Sequence, residues 1–179
     1  MTESNPNIPE DVRAMEDAPS HALPVALNIQ YTKDLSFEVP NGPSIFSSLD
    51  DAPRVSVNID VEANRLQENN HVYEVTLSIK VDAVEAEKKD QSPPRTVFIV
   101  ELAYAAVVTL VDPTDDIIEP ILLIEVPRLI FPFARNIICD TTRDGGFPPV
   151  VLQPIDFVAL WQRKKGQQMA QTHTEAGHA

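Results

Sequence analysis

The chain reads as an α+β domain, a four-stranded antiparallel sheet followed by two helices. Three observations predict this. Four segments between Val25 and Val111 carry strand patterning, three of them with apolar and polar residues alternating. From Ile121 to Ile138 the apolar residues fall nearly all round a helical wheel, the mark of a helix buried on most sides. All the strands precede the helices, which argues against alternating βαβ units.

The first strand places Val25, Leu27, Ile29, Tyr31, Leu35, Phe37 and Val39 at odd positions with polar residues between them. Lys33 breaks the apolar face, which predicts a bulge near Thr32–Asp34. Pro40-Asn41-Gly42-Pro43 ends the strand. The second strand spans Val55–Glu62, and the third runs from Val72 to about Val84 with Tyr73, Val75, Leu77, Ile79 and Val81 on one face. Regular alternation and a short turn at Glu68–His71 predict an antiparallel sheet with one wet face. The fourth strand, Thr96–Val111, is apolar on both sides, with Glu101 the single charge among Val97, Ile99, Ala103, Ala105 and Val107. Such a strand should be covered on both faces, the second cover coming from another subunit.

Pro120 suits the first turn of a helix. Pro127 and Pro132 lie inside its pattern and should bend it or delay its start. Arg143-Asp144-Gly145-Gly146 stops it, the glycines supplying left-handed conformers. Asp156 is the expected N-cap of a second helix, which aligns Phe157, Leu160, Trp161 and Lys164.

At 179 residues the chain accommodates one domain. That domain is expected over residues 25–170, between a disordered acidic tail at 1–24 and a flexible tail at 171–179. Neither a secretory signal nor an apolar run of the roughly 20 residues needed to span a bilayer is evident, so a cytoplasmic protein without membrane insertion is expected. The net charge of -13 disfavours nucleic acid and anionic lipid as partners and favours a basic polypeptide. A lone cysteine, Cys139, excludes a disulfide within the chain and reads as an inert, buried thiol in a reducing compartment.

Templates for chemistry are missing. Gly145-Gly146 follows a helix instead of opening one, so it is not a phosphate loop. His21, His71, His173 and His178 fall in expected tails or a turn, without cysteine or carboxylate partners at zinc spacing. No catalytic residue, metal or cofactor is therefore expected. Asp34, Glu38, Asp60, Glu62, Glu74, Asp82 and Glu101 make either a solvated sheet face or a docking face for a basic partner. Glu101, among apolar neighbours, is either paired or awaiting a partner. The apolar surplus suits either an oligomer core or a groove for apolar segments of other chains.

Two long runs then resemble the SecB family of protein-export chaperones, most of all its alphaproteobacterial branch. One is Ile124-Glu125-Val126-Pro127-Arg128-Leu129-Ile130-Phe131-Pro132-Phe133-Ala134-Arg135, followed by Asp140–Pro149 and Pro154–Phe157; the other is Tyr31–Asn41. The resemblance covers roughly Ile29 to Trp161. It implies a homotetramer, a dimer of dimers with the first helices packed between sheets. It implies no enzyme activity, but binding of unfolded precursor proteins in apolar grooves and their delivery to the SecA motor ATPase. Carried over by position, Asp34, Glu38, Ile99 and Glu101 are the implied SecA contacts, and Tyr31, Phe37, Phe46 and Trp161 the implied groove aromatics. Ala105-Ala106 stands where the family commonly has two glycines. The competing readings are a SecB-like chaperone dedicated to one client, such as an antitoxin, and a small-ligand-binding β-rich protein.

Overall fold

The computed structural model describes residues 24–49, 51–68, 70–86 and 93–175. The tail expected at 1–24 lies outside these residues except for Pro24. The elements are β1 (Val25–Glu38), α1 (Gly42–Ser48), β2 (Arg54–Arg65), β3 (Val72–Val84), β4 (Thr96–Leu110), α2 (Asp115–Pro120), α3 (Val126–Asp144) and α4 (Phe157–Glu175). A π-helical turn, Ile121–Glu125, joins α2 to α3. Helix α4 runs past Gln171, where the flexible tail was expected to begin.

All four strands join one antiparallel sheet in the order β1-β4-β3-β2. β3 and β4 are central and bury one alternate set of residues each: Tyr73, Val75, Leu77, Ile79, Val81 and Ala83 on β3; Phe98, Val100, Leu102, Tyr104, Ala106 and Val108 on β4. The helices cover this side, with Ile121, Leu122, Ile124, Ile130, Phe131, Ala134, Ile138 and Phe157 completing the core. The opposite side of β4 is only partly covered within one chain. Ala105 is buried there, Ile99, Ala103 and Val107 only half-buried, and Glu101 exposed.

β1 is where the alternation misleads. The register slips twice, between Leu27 and Ile29 and between Thr32 and Asp34. The second slip is the bulge that Lys33 predicts. The first, at Asn28, has no pattern signal, because its flanking residues keep the odd-position rhythm. Each slip exchanges the two faces. Leu27, Leu35 and Phe37 therefore lie opposite core residues Val108, Leu102 and Val100, whereas Ile29 and Tyr31 lie opposite Val107 and Ala105 on the outer face. Gln30 takes the place opposite Ala106, and its buried Oε1 finds no hydrogen-bond partner among the described residues. The single apolar face expected for β1 is divided between both sides of the sheet.

Pairing β1 with β4 requires a crossover before β2, and α1 occupies it. Pro43 sits in its first turn, where a missing N–H costs nothing. Ile45 is completely buried and anchors it. Arg95 ties it to the β3–β4 connection: its guanidinium donates to Ser48 Oγ at 2.5 Å and to Glu85 Oε1 at 2.6 Å.

Pro127 stands in the first turn of α3, which begins at Val126, and Pro132 lies inside it. The ring of Pro127 would strike the carbonyl four residues back in a regular α-helix. The preceding turn widens instead, with Val126 N–H bonding to Ile121 O five residues earlier. At the other end only Gly146 is left-handed, at φ 88°; Gly145 stays right-handed at φ -72°. Asp156 caps α4 as expected, its Oδ1 accepting from Ala159 N–H at 3.0 Å. Phe157 is buried, and Leu160, Trp161 and Lys164 are half-buried along the same stripe.

Candidate functional site

The outer face of the sheet gathers the four implied SecA contacts. Reading across β1, β4, β3 and β2, one row is Asp34, Ala103, Ser78, Asp60; the next is Ser36, Glu101, Lys80, Asn58; the third is Glu38, Ile99, Asp82, Ser56. Two residues on β1 and two on β4, far apart in sequence, thus share one patch. Small side chains in the first row leave a depression of about 270 Å³ bordered by Asp34, Asp60, Lys80 and Glu101.

Glu101 is paired. Its Oε1 accepts from Lys80 Nζ at 2.6 Å, and the same ammonium stands 4.0 Å from Asp82 Oδ1. Asp60 accepts from Lys164 Nζ of α4 at 2.7 Å. Asp34 and Glu38 have no ion-pair partner among the described residues. Farther along the same face, Tyr31 donates its hydroxyl to Glu74 Oε1, and Lys33 donates to Glu74 Oε2 at 2.7 Å. These two donors, the lysine first, hold the Glu74 carboxyl below its ordinary value. The hydrogen bond to Glu74 in turn raises the Tyr31 phenol.

The implied groove aromatics do not stay together. Phe37 and Phe46 meet on the helix side of the sheet through Phe147. Phe46 stacks on Phe147 at 4.8 Å between ring centroids, Phe98 approaches it at 4.9 Å, and Phe37 lies 6.0 Å from Phe98. Tyr31 is on the other face of the sheet, separated from Phe37 by the slip between Thr32 and Asp34. Trp161 lines a separate hollow with Ile118, Leu122 and Lys165; its Nε1 donates to Glu119 at 2.9 Å and Lys165 lies over its ring.

An open, largely apolar groove of about 710 Å³ begins at this phenylalanine cluster. Val55 and Val57 of β2 form one wall, Leu49 and Pro53 one end, and Phe98 part of its floor. The opposite wall is the extended segment 148–155, which contributes Pro149, Val151, Leu152 and Ile155. Val55 and Val57 are exposed at this edge of the sheet. Pro148, Pro149 and Pro154 lack N–H groups and favour an extended chain. The segment is fastened by Thr142, whose buried Oγ1 donates to Ile138 O at 2.9 Å and accepts from Val150 N–H at 2.9 Å.

Phe98, Phe147, Val55, Val57 and Ile155 were not singled out in the sequence. Phe98 looks like any core residue of β4, and the groove it floors exists only because segment 148–155 returns beside β2. Phe147, between a glycine pair and a proline pair, carried the one local signal: a large apolar side chain where a loop is expected. Among the described residues no cluster of three or more His, Cys, Asp or Glu is placed to hold a metal, and no helix is long and apolar enough to cross a membrane. His71, expected in solvent, is half-buried.

Comparisons with known proteins bear on the family and the fold. The family model described as preprotein translocase subunit SecB matches residues 18–168. The chain is 63% identical over 156 residues to protein-export protein SecB 1 of Gluconobacter oxydans, covering 87% of this chain and 90% of that one. It is 64% identical over 145 residues to protein-export protein SecB of Gluconacetobacter diazotrophicus, covering 80% and 85%. Among solved structures, the fold matches the Mycobacterium tuberculosis SecB-like chaperone Rv1957, solved with a ChAD peptide from the HigA1 antitoxin. That match has a TM-score of 0.57 and 13% identity, over 73% of this chain and 90% of that one. The chain belongs to the SecB family, a family of chaperones of the protein-export Sec pathway.

Proposed function

We propose that this chain holds unfolded precursor polypeptides in the groove between β2 and segment 148–155 and passes them to SecA through the acidic outer face. The observation that carries this reading is that the two sites use opposite faces of one sheet. Val55 and Val57 pair with Ala83 and Val81 of the core side, whereas Asp34, Glu38, Ile99 and Glu101 belong to the outer side. A bound client therefore leaves the docking face open.

The groove suits a client defined by apolar content alone. Its lining offers valine, leucine, isoleucine, proline and phenylalanine, with few side chains to demand a particular polar partner. Loose preference follows from that chemistry. Holding needs no nucleotide, since binding an unfolded chain shifts its folding by mass action. No catalytic step is part of the reading. The export names of relatives at 63% and 64% identity favour broad clients over one dedicated partner.

A cytoplasmic homotetramer, a dimer of dimers, completes the proposal. Its support is apolar surface unused within one chain: Ile29 on the edge strand β1, 57% exposed, and Leu129 and Phe133 one turn apart on α3. An unpaired, apolar edge strand is a liability unless another chain covers it.

The test separates the two faces. Val57→Glu is expected to weaken binding of an unfolded precursor about tenfold or more, since it buries a charge against an apolar segment, while SecA affinity is kept. Glu101→Lys is expected to do the reverse through like-charge repulsion with a basic partner. Titrations of both ligands against both variants read this out. Loss of both activities in each variant, with fold and assembly intact, would contradict two independent sites.

A further inference from the structure

The docking face contains a cation of its own. Lys80 occupies β3 directly beside Glu101 of β4, with its ammonium 2.6 Å from Glu101 Oε1 and 4.0 Å from Asp82 Oδ1. Glu38, on the next row and two strands away, adds to the negative field at Lys80. The lysine thus stands among three carboxylates of the patch, at the rim of the depression that Asp34 and Asp60 border. Both members of the Lys80–Glu101 pair are about half exposed, so water competes for the contact. Exposed pairs of this kind contribute little to stability, so one does little to hold the sheet together. Its larger effect is on the potential a partner meets.

We propose that Lys80 is a built-in counter-ion of the docking face, masking Glu101 until a basic group of the partner displaces it. The inference rests on the reading of this face as the SecA contact. Lysine is suited to the role. Its charge sits on a flexible four-carbon stem and is held by single contacts, unlike the bidentate fork of arginine. It swings aside without backbone movement. While in place it lowers the attraction of the patch for cations, including wrong ones, and so trades affinity for selectivity. The neighbouring Lys33–Glu74 pair repeats the arrangement, but it lies outside the rows that hold Asp34, Glu38, Ile99 and Glu101.

Removing the counter-ion should therefore strengthen docking. Lys80→Gln keeps a polar side chain of similar length and deletes the charge. SecA affinity of the full chain is expected to rise about two- to fivefold at low ionic strength, the equivalent of one exposed ion pair. The gain should come mostly in the association rate and fade as salt screens the patch. Lys80→Arg, which keeps the charge, should return the affinity to near that of the natural chain. In a Glu101→Gln background the gain from Lys80→Gln should shrink, since the group being masked is gone.

Circular dichroism and native mass establish that each variant keeps fold and assembly. Unchanged or weaker SecA binding by Lys80→Gln, while Glu101→Lys weakens it, would overturn the counter-ion role and leave the docking face standing. If Glu101→Lys also has no effect, the docking face itself is wrong and this inference falls with it.

Discussion

Gly145 is retained for space, not for backbone freedom. Its φ of -72° is open to any residue, yet a Cβ there would run into the ring of Phe37. That ring cannot retreat freely, since Phe98 and Phe147 flank it. Gly145→Ala should destabilise the chain by about 1–3 kcal/mol through overpacking, less about 0.4–1 kcal/mol regained from the unfolded state. A urea midpoint lower than that of the natural chain is the expected result; an unchanged midpoint would mean the ring yields. At this scale the sequence was legible where one residue breaks a pattern. Lys33 announced its bulge and Asp156 its cap. Asn28 announced nothing, because a bulge that preserves the odd-position rhythm is silent. Tyr31 and Phe37, grouped by the resemblance as groove aromatics, are parted by the slip at Lys33, which leaves them on opposite faces of the sheet.

Among the elements, segment 148–155 matters most to the groove, although it is neither helix nor strand. Its three prolines extend it, and one hydroxyl fastens it. Thr142→Val keeps the shape of the side chain but leaves Val150 N–H without an acceptor. A cost of about 1–3 kcal/mol is expected, concentrated in this segment. Hydrogen exchange at the Val150 amide should quicken markedly while the β3 and β4 amides stay protected, and client affinity should fall. Unchanged exchange at Val150 would show that Thr142 does not anchor the wall. Strands were the legible elements, because a sheet with one covered side writes its burial into alternate residues; β3 was located to the residue. Helix α1 was hidden by its proline-rich opening and its length of seven residues, too short for periodicity to register. The π-turn was hidden because Pro127 signals a broken helical ladder without specifying how the helix absorbs it.

The whole molecule carries surfaces that one chain leaves unused. Under the proposed function the apolar groove, the β1 edge and the Leu129–Phe133 stripe would serve clients and copies, and the acidic outer face a basic motor. Composition foreshadowed the electrostatic half, since a net charge of -13 selects basic partners. It did not reveal how the charges are shared out. The pairing of Glu101 with Lys80 depends on the register between two strands, which no local pattern encodes. The separation of the apolar groove from the acidic patch on opposite faces is likewise a property of the sheet order β1-β4-β3-β2. It emerges only when β1 pairs with the last strand instead of the second.

Native mass spectrometry of the full chain, alone and with an unfolded precursor, tests the central claim most directly. The account predicts a species about four times the 19.8 kDa chain mass that gains the mass of the bound precursor. A monomer whose mass is unchanged by the unfolded chain would contradict it.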